Sequence, residues 1–169
     1  MTAVDIRPGT LSAQFPAYAE GWTLQGQWHP NESERNASRD VLVELVTRIS
    51  VVCLPDDEGR VDEALASLYS LFGSIRGTLK VHGPSVANDR RGELSFAVIA
   101  AHLLNRTLRP VLSEWHIEVA AGTADENEVR QVLRALRHVL VQYAELFASA
   151  CGAEEFVRSL VEGERRRSR

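Results

Sequence analysis

Lysine is nearly missing from this chain. Lys80 stands alone against 18 Arg among 169 residues. Those Arg are spread over every expected helix, so they read as the coding bias of a GC-rich genome rather than as a phosphate-binding adaptation. Cysteine is scarce as well. Cys53 and Cys151 are too few for a disulfide scaffold or a zinc site, no Cys-x-x-Cys occurs, and both are expected as buried thiols. No apolar run reaches the ~20 residues that span a bilayer. The start of the chain has no basic segment followed by an apolar core, so no secretory signal is expected and the reading is cytoplasmic. Glycine-rich phosphate loops, Gly-x-Ser-x-Gly, His-Glu-x-x-His and paired Glu-x-x-His are absent too. That removes the P-loop, hydrolase, zincin and di-iron bundle readings, and no cofactor or metal is expected.

What is there is a globular composition, 44% apolar and 25% charged, in a length that suits one domain. The net charge of −4 is unevenly placed. The tail Glu164-Arg165-Arg166-Arg167-Ser168-Arg169 carries +3, which leaves −7 on the rest. A body that acidic does not suit sequence-independent nucleic-acid binding. The basic tail at 164–169 is the exception, and it reads first as a solvated terminus.

Residues 1–30 mix Pro8, Gly9, Pro16, Gly21, Gly26 and Pro30 with Phe15, Tyr18, Trp22 and Trp28. Neither period persists, so an irregular aromatic arm is expected, packed on the remainder or offered to a partner. The bundle spans 31–163. Asn31 and Glu34 form a capping box ahead of the stripe Ala37, Val41, Leu45, Val46, Ile49 and Val52. The acidic run Asp56-Asp57-Glu58 follows, suited to the positive end of the next helix. That helix runs from about Gly59 to His82 and stops at Gly83-Pro84. Its Gly73 and Gly77 predict close approach of a neighbouring helix. A third helix covers about Glu93 to Trp115. The fourth begins at the box Asp125/Glu128 and ends at Cys151-Gly152, and a short fifth carries Phe156. The fold class is therefore an all-α antiparallel bundle of four to five helices.

Pro110 interrupts the third helix among Asn105, Arg109, Glu114, Trp115 and His116. Proline removes a donor and clashes one turn back, so the helix must bend or restart there. Glu44 and Arg48 lie at i, i+4 on the first helix. They form either a surface pair or a network reaching Asn105 and Arg109 across the bundle. All-α ribonucleases of the HEPN superfamily carry an Arg followed shortly by a His, and Arg109 with His116 fits that spacing. There His would move the proton of a 2′-hydroxyl and Arg would steady the phosphate. Arg76 and His82 match equally, however, and Pro110 departs from the family's polar residue, so the spacing carries little signal.

Trp28-His29-Pro30, Val43-Glu44-Leu45-Val46-Thr47-Arg48-Ile49, Leu54-Pro55-Asp56-Asp57-Glu58-Gly59-Arg60, His82-Gly83-Pro84, Leu108-Arg109-Pro110 and Trp115-His116 together resemble uncharacterised helical proteins of actinobacteria. The likeness covers about residues 28–150. It implies a shared helical fold and service in bacterial conflict or antiphage systems, and it lends no catalytic residues. The expectation is a non-enzymatic interaction or regulatory module, with a protein partner or a second copy of itself and no membrane. The binding residues would be Trp22, Trp28, Glu44, Arg48, Asn105, Arg109, Trp115 and His116. The alternatives are a ribonuclease using Arg109 and His116, and a small-ligand sensor with a cavity near Asn105 and Arg109.

Overall fold

The computed structural model describes residues 11–16, 23–52, 59–87 and 93–159. In order these are strands β1 (Leu11–Pro16) and β2 (Thr23–Trp28), then helices α1 (Glu32–Val52) and α2 (Val61–His82). A short 3₁₀ turn (Gly83–Val86), α3 (Phe96–His102), a π-helical turn (Leu103–Leu108), α4 (Arg109–Ala121) and α5 (Glu126–Cys151) follow. Residues 154–159 begin a further helix, α6. Trp22, Cys53, the acidic run at 56–58 and the basic tail lie outside the described residues.

The all-α bundle is present. Helix α1 packs on both α2 and α5, and α4 packs on α2. Its ends fall where local chemistry puts them. Asn31 Oδ1 accepts from Glu34 N–H at 2.9 Å, and Glu34 Oε2 accepts from Asn31 N–H at 2.9 Å, which completes the capping box. Asp125 Oδ1 accepts from Asn127 N–H at 2.9 Å and caps α5. Gly122 and Gly152 close α4 and α5 at φ of +69° and +71°, a backbone shape that other residues reach only with strain.

The arm is more ordered than expected. Leu11 pairs with Trp28, and so on to Pro16 with Thr23, in an antiparallel hairpin. Leu11, Ala13 and Phe15 alternate with polar neighbours, as do Leu24 and Trp28; each run is only six residues long, so Pro16 and Gly26 mask the period. The hairpin is tied to the bundle by Leu94, whose N–H donates to Gln27 O at 2.7 Å. A Cβ on Gly26 would come within 2.8 Å of Leu94 Cγ, so the contact requires glycine.

The core holds the buried faces of helices α1 to α5, with Trp28, Phe96, Tyr143 and Phe147 as its large members. Trp28 meets Phe147 edge-on at 6.3 Å between centroids, a favoured aromatic geometry. Its Nε1–H donates to Glu34 Oε1 at 3.1 Å, and the same oxygen accepts from Phe96 N–H at 2.8 Å. One fully buried carboxylate thus joins hairpin, α1 and α3.

Gly73 and Gly77 differ from expectation. A Cβ at either would meet nothing within 4 Å among the described residues, so neither glycine serves a close helix–helix contact. Their absent side chains leave open space on α2 instead.

Candidate functional site

Pro110 shapes this region. Arg109 N–H donates to Leu104 O, a bond spanning five residues where an α-helix spans four. The widened turn ahead of Pro110 makes room for its ring, and the helix passes from α3 into α4 without stopping. Trp115, behind the proline, is buried in the core, and its flanking Glu114 and His116 point outward. Its Nε1 is buried with no hydrogen-bond partner among the described residues.

Beyond the turn, α4 lies against α2. Residues Arg109, Leu112 or Ser113, and His116 fall three to four apart and share one face of α4. Tyr69, Phe72 or Gly73, and Arg76 do the same on α2. The two faces meet head to tail. The Arg109 guanidinium sits over the Phe72 ring at 5.4 Å, and His116 stacks on Tyr69 at 5.7 Å with 16° between planes. Between them lies a cleft of 350 Å³ lined by Tyr69, Phe72, Gly73, Arg76, Arg109 and Ser113 with Leu112. No carboxylate is among the lining residues. Arg109 Nε donates to Asn105 Oδ1 at 3.1 Å, a neutral partner, and Arg76 is exposed without a carboxylate partner among the described residues. Two guanidinium groups therefore face one hollow with no carboxylate beside them among the described residues.

A second hollow of 470 Å³, between the start of α2 and the α4–α5 turn, is different. Its Arg60 is held by Asp62 at 2.7 Å, and its Glu126 by Arg130 at 2.5 Å. The Arg60 guanidinium keeps the Asp62 carboxyl below the usual carboxylate range, first through their hydrogen bond. Its charges already answer one another.

The expected binding residues separate into groups. Trp28 is fully buried, so its ring is core rather than a surface for a partner, and Trp115 is core as well. Glu44 and Arg48 pair with each other, and Arg48 Nη2 donates to Ser70 Oγ at 3.2 Å on α2. Among the described residues the pair makes no bond to Asn105 or Arg109, which bond to each other one turn apart. Glu44 is not the partner of Arg109. Of these residues only Arg109 lines the cleft; Asn105 bonds to Arg109, and His116 stacks on the lining residue Tyr69. Sequence reasoning missed Tyr69, Phe72, Arg76 and Ser113. On α2 the signal was the three-to-four spacing of Tyr69, Phe72 and Arg76, of which only Arg76 was noted, as a spacing match with His82; Ser113 lies one turn beyond Arg109 on α4.

Behind the π turn lies a buried polar cluster. His102 Nδ1 and Tyr143 Oη are 2.6 Å apart, and Thr107 Oγ1 is 3.4 Å from the same oxygen. Burial pushes the Tyr143 hydroxyl well above its ordinary range. Burial, aided by the nearby Arg106 charge, pushes the His102 imidazole below its own. Both groups are held neutral. Among the described residues there is no cluster of three or more His, Cys, Asp or Glu side chains that could hold a metal. Cys151 is a free, half-buried thiol whose ionisation burial disfavours.

No family model matches the chain, and no solved structure matches it. It is similar to part of a lysine–tRNA ligase of Xanthomonas campestris pv. campestris (strain 8004), 30% identical over 114 residues, which is 64% of this chain and 22% of the ligase. The lysine–tRNA ligase of Xanthomonas axonopodis pv. citri (strain 306) is 29% identical over the same length. The chain thus spans about a fifth of the length of these curated relatives, 22% in each case. No helix among the described residues is long and apolar enough to cross a membrane.

Proposed function

We propose that this chain is a non-enzymatic regulatory module that binds an anionic group in the cleft between α2 and α4. The bound state is passed to a partner protein or to a second copy of the chain. One observation carries the reading: Arg76 and Arg109 face a hollow with no acid in its lining. Guanidinium groups are suited to phosphate and carboxylate because their donors form a planar fork. The name of the matched relatives joins lysine to tRNA, and of those two it is the polyanion that such a pair would meet. The likeness to helical proteins of actinobacteria supports service in bacterial conflict systems.

The geometry favours binding over RNA cleavage. Arg109 and His116 are seven positions apart, so their backbones stand about 10 Å apart along α4. Each is turned to a different ring of α2. An acid or base must come within hydrogen-bond reach of the proton it moves, and here His116 lies flat on Tyr69.

Thermal unfolding of the full chain with pyrophosphate tests the reading, since a ligand of the native state raises the midpoint by mass action. The midpoint is expected to rise with pyrophosphate concentration, and the rise to vanish in Arg76→Gln. RNA cleavage by the purified protein that is abolished by both Arg109→Ala and His116→Ala would overturn it.

A further inference from the structure

We infer that the anion is the phosphate of a mononucleotide, with its base stacked at the opposite end of the cleft; this rests on the reading of the cleft as an anion site. The cleft is polarised along its length. At one end Tyr69 and His116 lie parallel and present flat rings to solvent, with Tyr69 63% exposed despite the stack. At the other end stand Arg109 over Phe72 and, one turn further along α2, Arg76. Tyr69 and Arg76 are seven residues apart, about 10 Å along the helix. A mononucleotide offers the same order of groups: a planar ring, a polar sugar and a phosphate.

Each end matches its part by chemistry. A base extends the Tyr69–His116 stack from an open face, an interaction tolerant of base identity because every base has a π-face. The phosphate takes the two guanidinium forks that lack a carboxylate. Between them Gly73 leaves the floor open, since a Cβ there would touch nothing within 4 Å. The volume of 350 Å³ lies within the range of small-molecule sites. A long nucleic acid fits less well, because the body outside the tail carries −7 and repels an extended polyanion.

The test is calorimetric titration of the full-length protein with AMP, pyrophosphate, adenosine and a short single-stranded RNA. AMP is expected to bind at least tenfold more tightly than pyrophosphate. Tyr69→Ala should remove that advantage and leave pyrophosphate binding unchanged, whereas Arg76→Gln should weaken both at least tenfold. Gly73→Leu should block AMP while the unliganded protein keeps its unfolding midpoint, which separates a filled cleft from a failed fold. Equal binding of AMP and pyrophosphate, insensitive to Tyr69→Ala, overturns the nucleotide and leaves the anion site standing. Loss of all binding in the wild type overturns both. RNA binding tighter than AMP overturns the mononucleotide in favour of a nucleic-acid ligand.

Discussion

Glu34 and Arg109 sit at opposite extremes of the same bundle. Glu34 is fully buried, yet donors from Trp28, Asn31 and Phe96 satisfy its carboxylate. Arg109 is exposed, and among the described residues no carboxylate answers its charge in the cleft. A buried charge must be compensated locally or the fold fails, whereas a surface charge can be left open at little cost. The difference teaches where selection for stability ends and room for a ligand begins. The knot around Glu34 has no donor to spare for anything outside the chain. The cleft has donors and aromatic faces left over.

Breaking that comparison from the buried side gives the largest effect. Glu34→Ala strands the Trp28 indole and the Phe96 amide in the core, and should destabilise the protein by about 3–5 kcal/mol. Urea unfolding followed by circular dichroism would show it, and a loss below about 1 kcal/mol would mean that the knot is not the brace it looks to be. Next comes Gly26→Ala, which forces Leu94 to move and should cost about 1–3 kcal/mol in the same assay.

On the exposed side, Arg109→Gln should shift stability by no more than about 0.5 kcal/mol while weakening pyrophosphate binding. A large stability loss in that variant would make Arg109 a structural residue and erase the contrast. In the opposite direction, Gly77→Ala should stabilise α2 by about 0.5–1 kcal/mol, because helix propensity improves and the new methyl group meets nothing.

The half-buried His102 adds a dependence on pH. Its folded-state value lies below the ordinary 6.5, so the unfolded chain binds the proton first. His102 therefore lowers stability as pH falls through 6.5, and its penalty is absent at higher pH. His102→Gln should flatten the fall in unfolding midpoint between about pH 7 and 5. An unchanged slope would show that the imidazole does not titrate there.

Helix ends are legible in the sequence because their causes are local. Asn31 and Glu34 cap within one turn, and Gly83, Gly122 and Gly152 mark stops through their own backbone shape. The hairpin is not, since the bonds that tie it to the bundle come from Leu94 and Glu34, outside both strands. The cleft is half legible. Asn105, Arg109 and His116 draw the eye because a proline stands among them. Their counterparts on α2 look like solvated flank until α4 is laid against them, and nothing in the spacing of Arg48 tells that it turns to Ser70. Pairings between helices depend on rotation about each axis, and a sequence period gives a face without saying which face of the neighbour it meets.

That rotation is what the π turn adjusts. Counted at about 100° per residue, Phe96, Ile99, Ala100 and Leu103 share one side of their helix. On an unbroken α-helix, Val111, Leu112 and Trp115 would centre about 100° further round. All seven are nonetheless buried in one core. The turn at Leu103–Leu108 takes in one extra residue and so sets the helix back by about that angle. It works as a phase corrector. Trp115 is turned inward by it, and Arg109 and His116 are carried with the same rotation onto the face that meets α2. The proline that seemed to interrupt the helix thus sits beside the device that aims it.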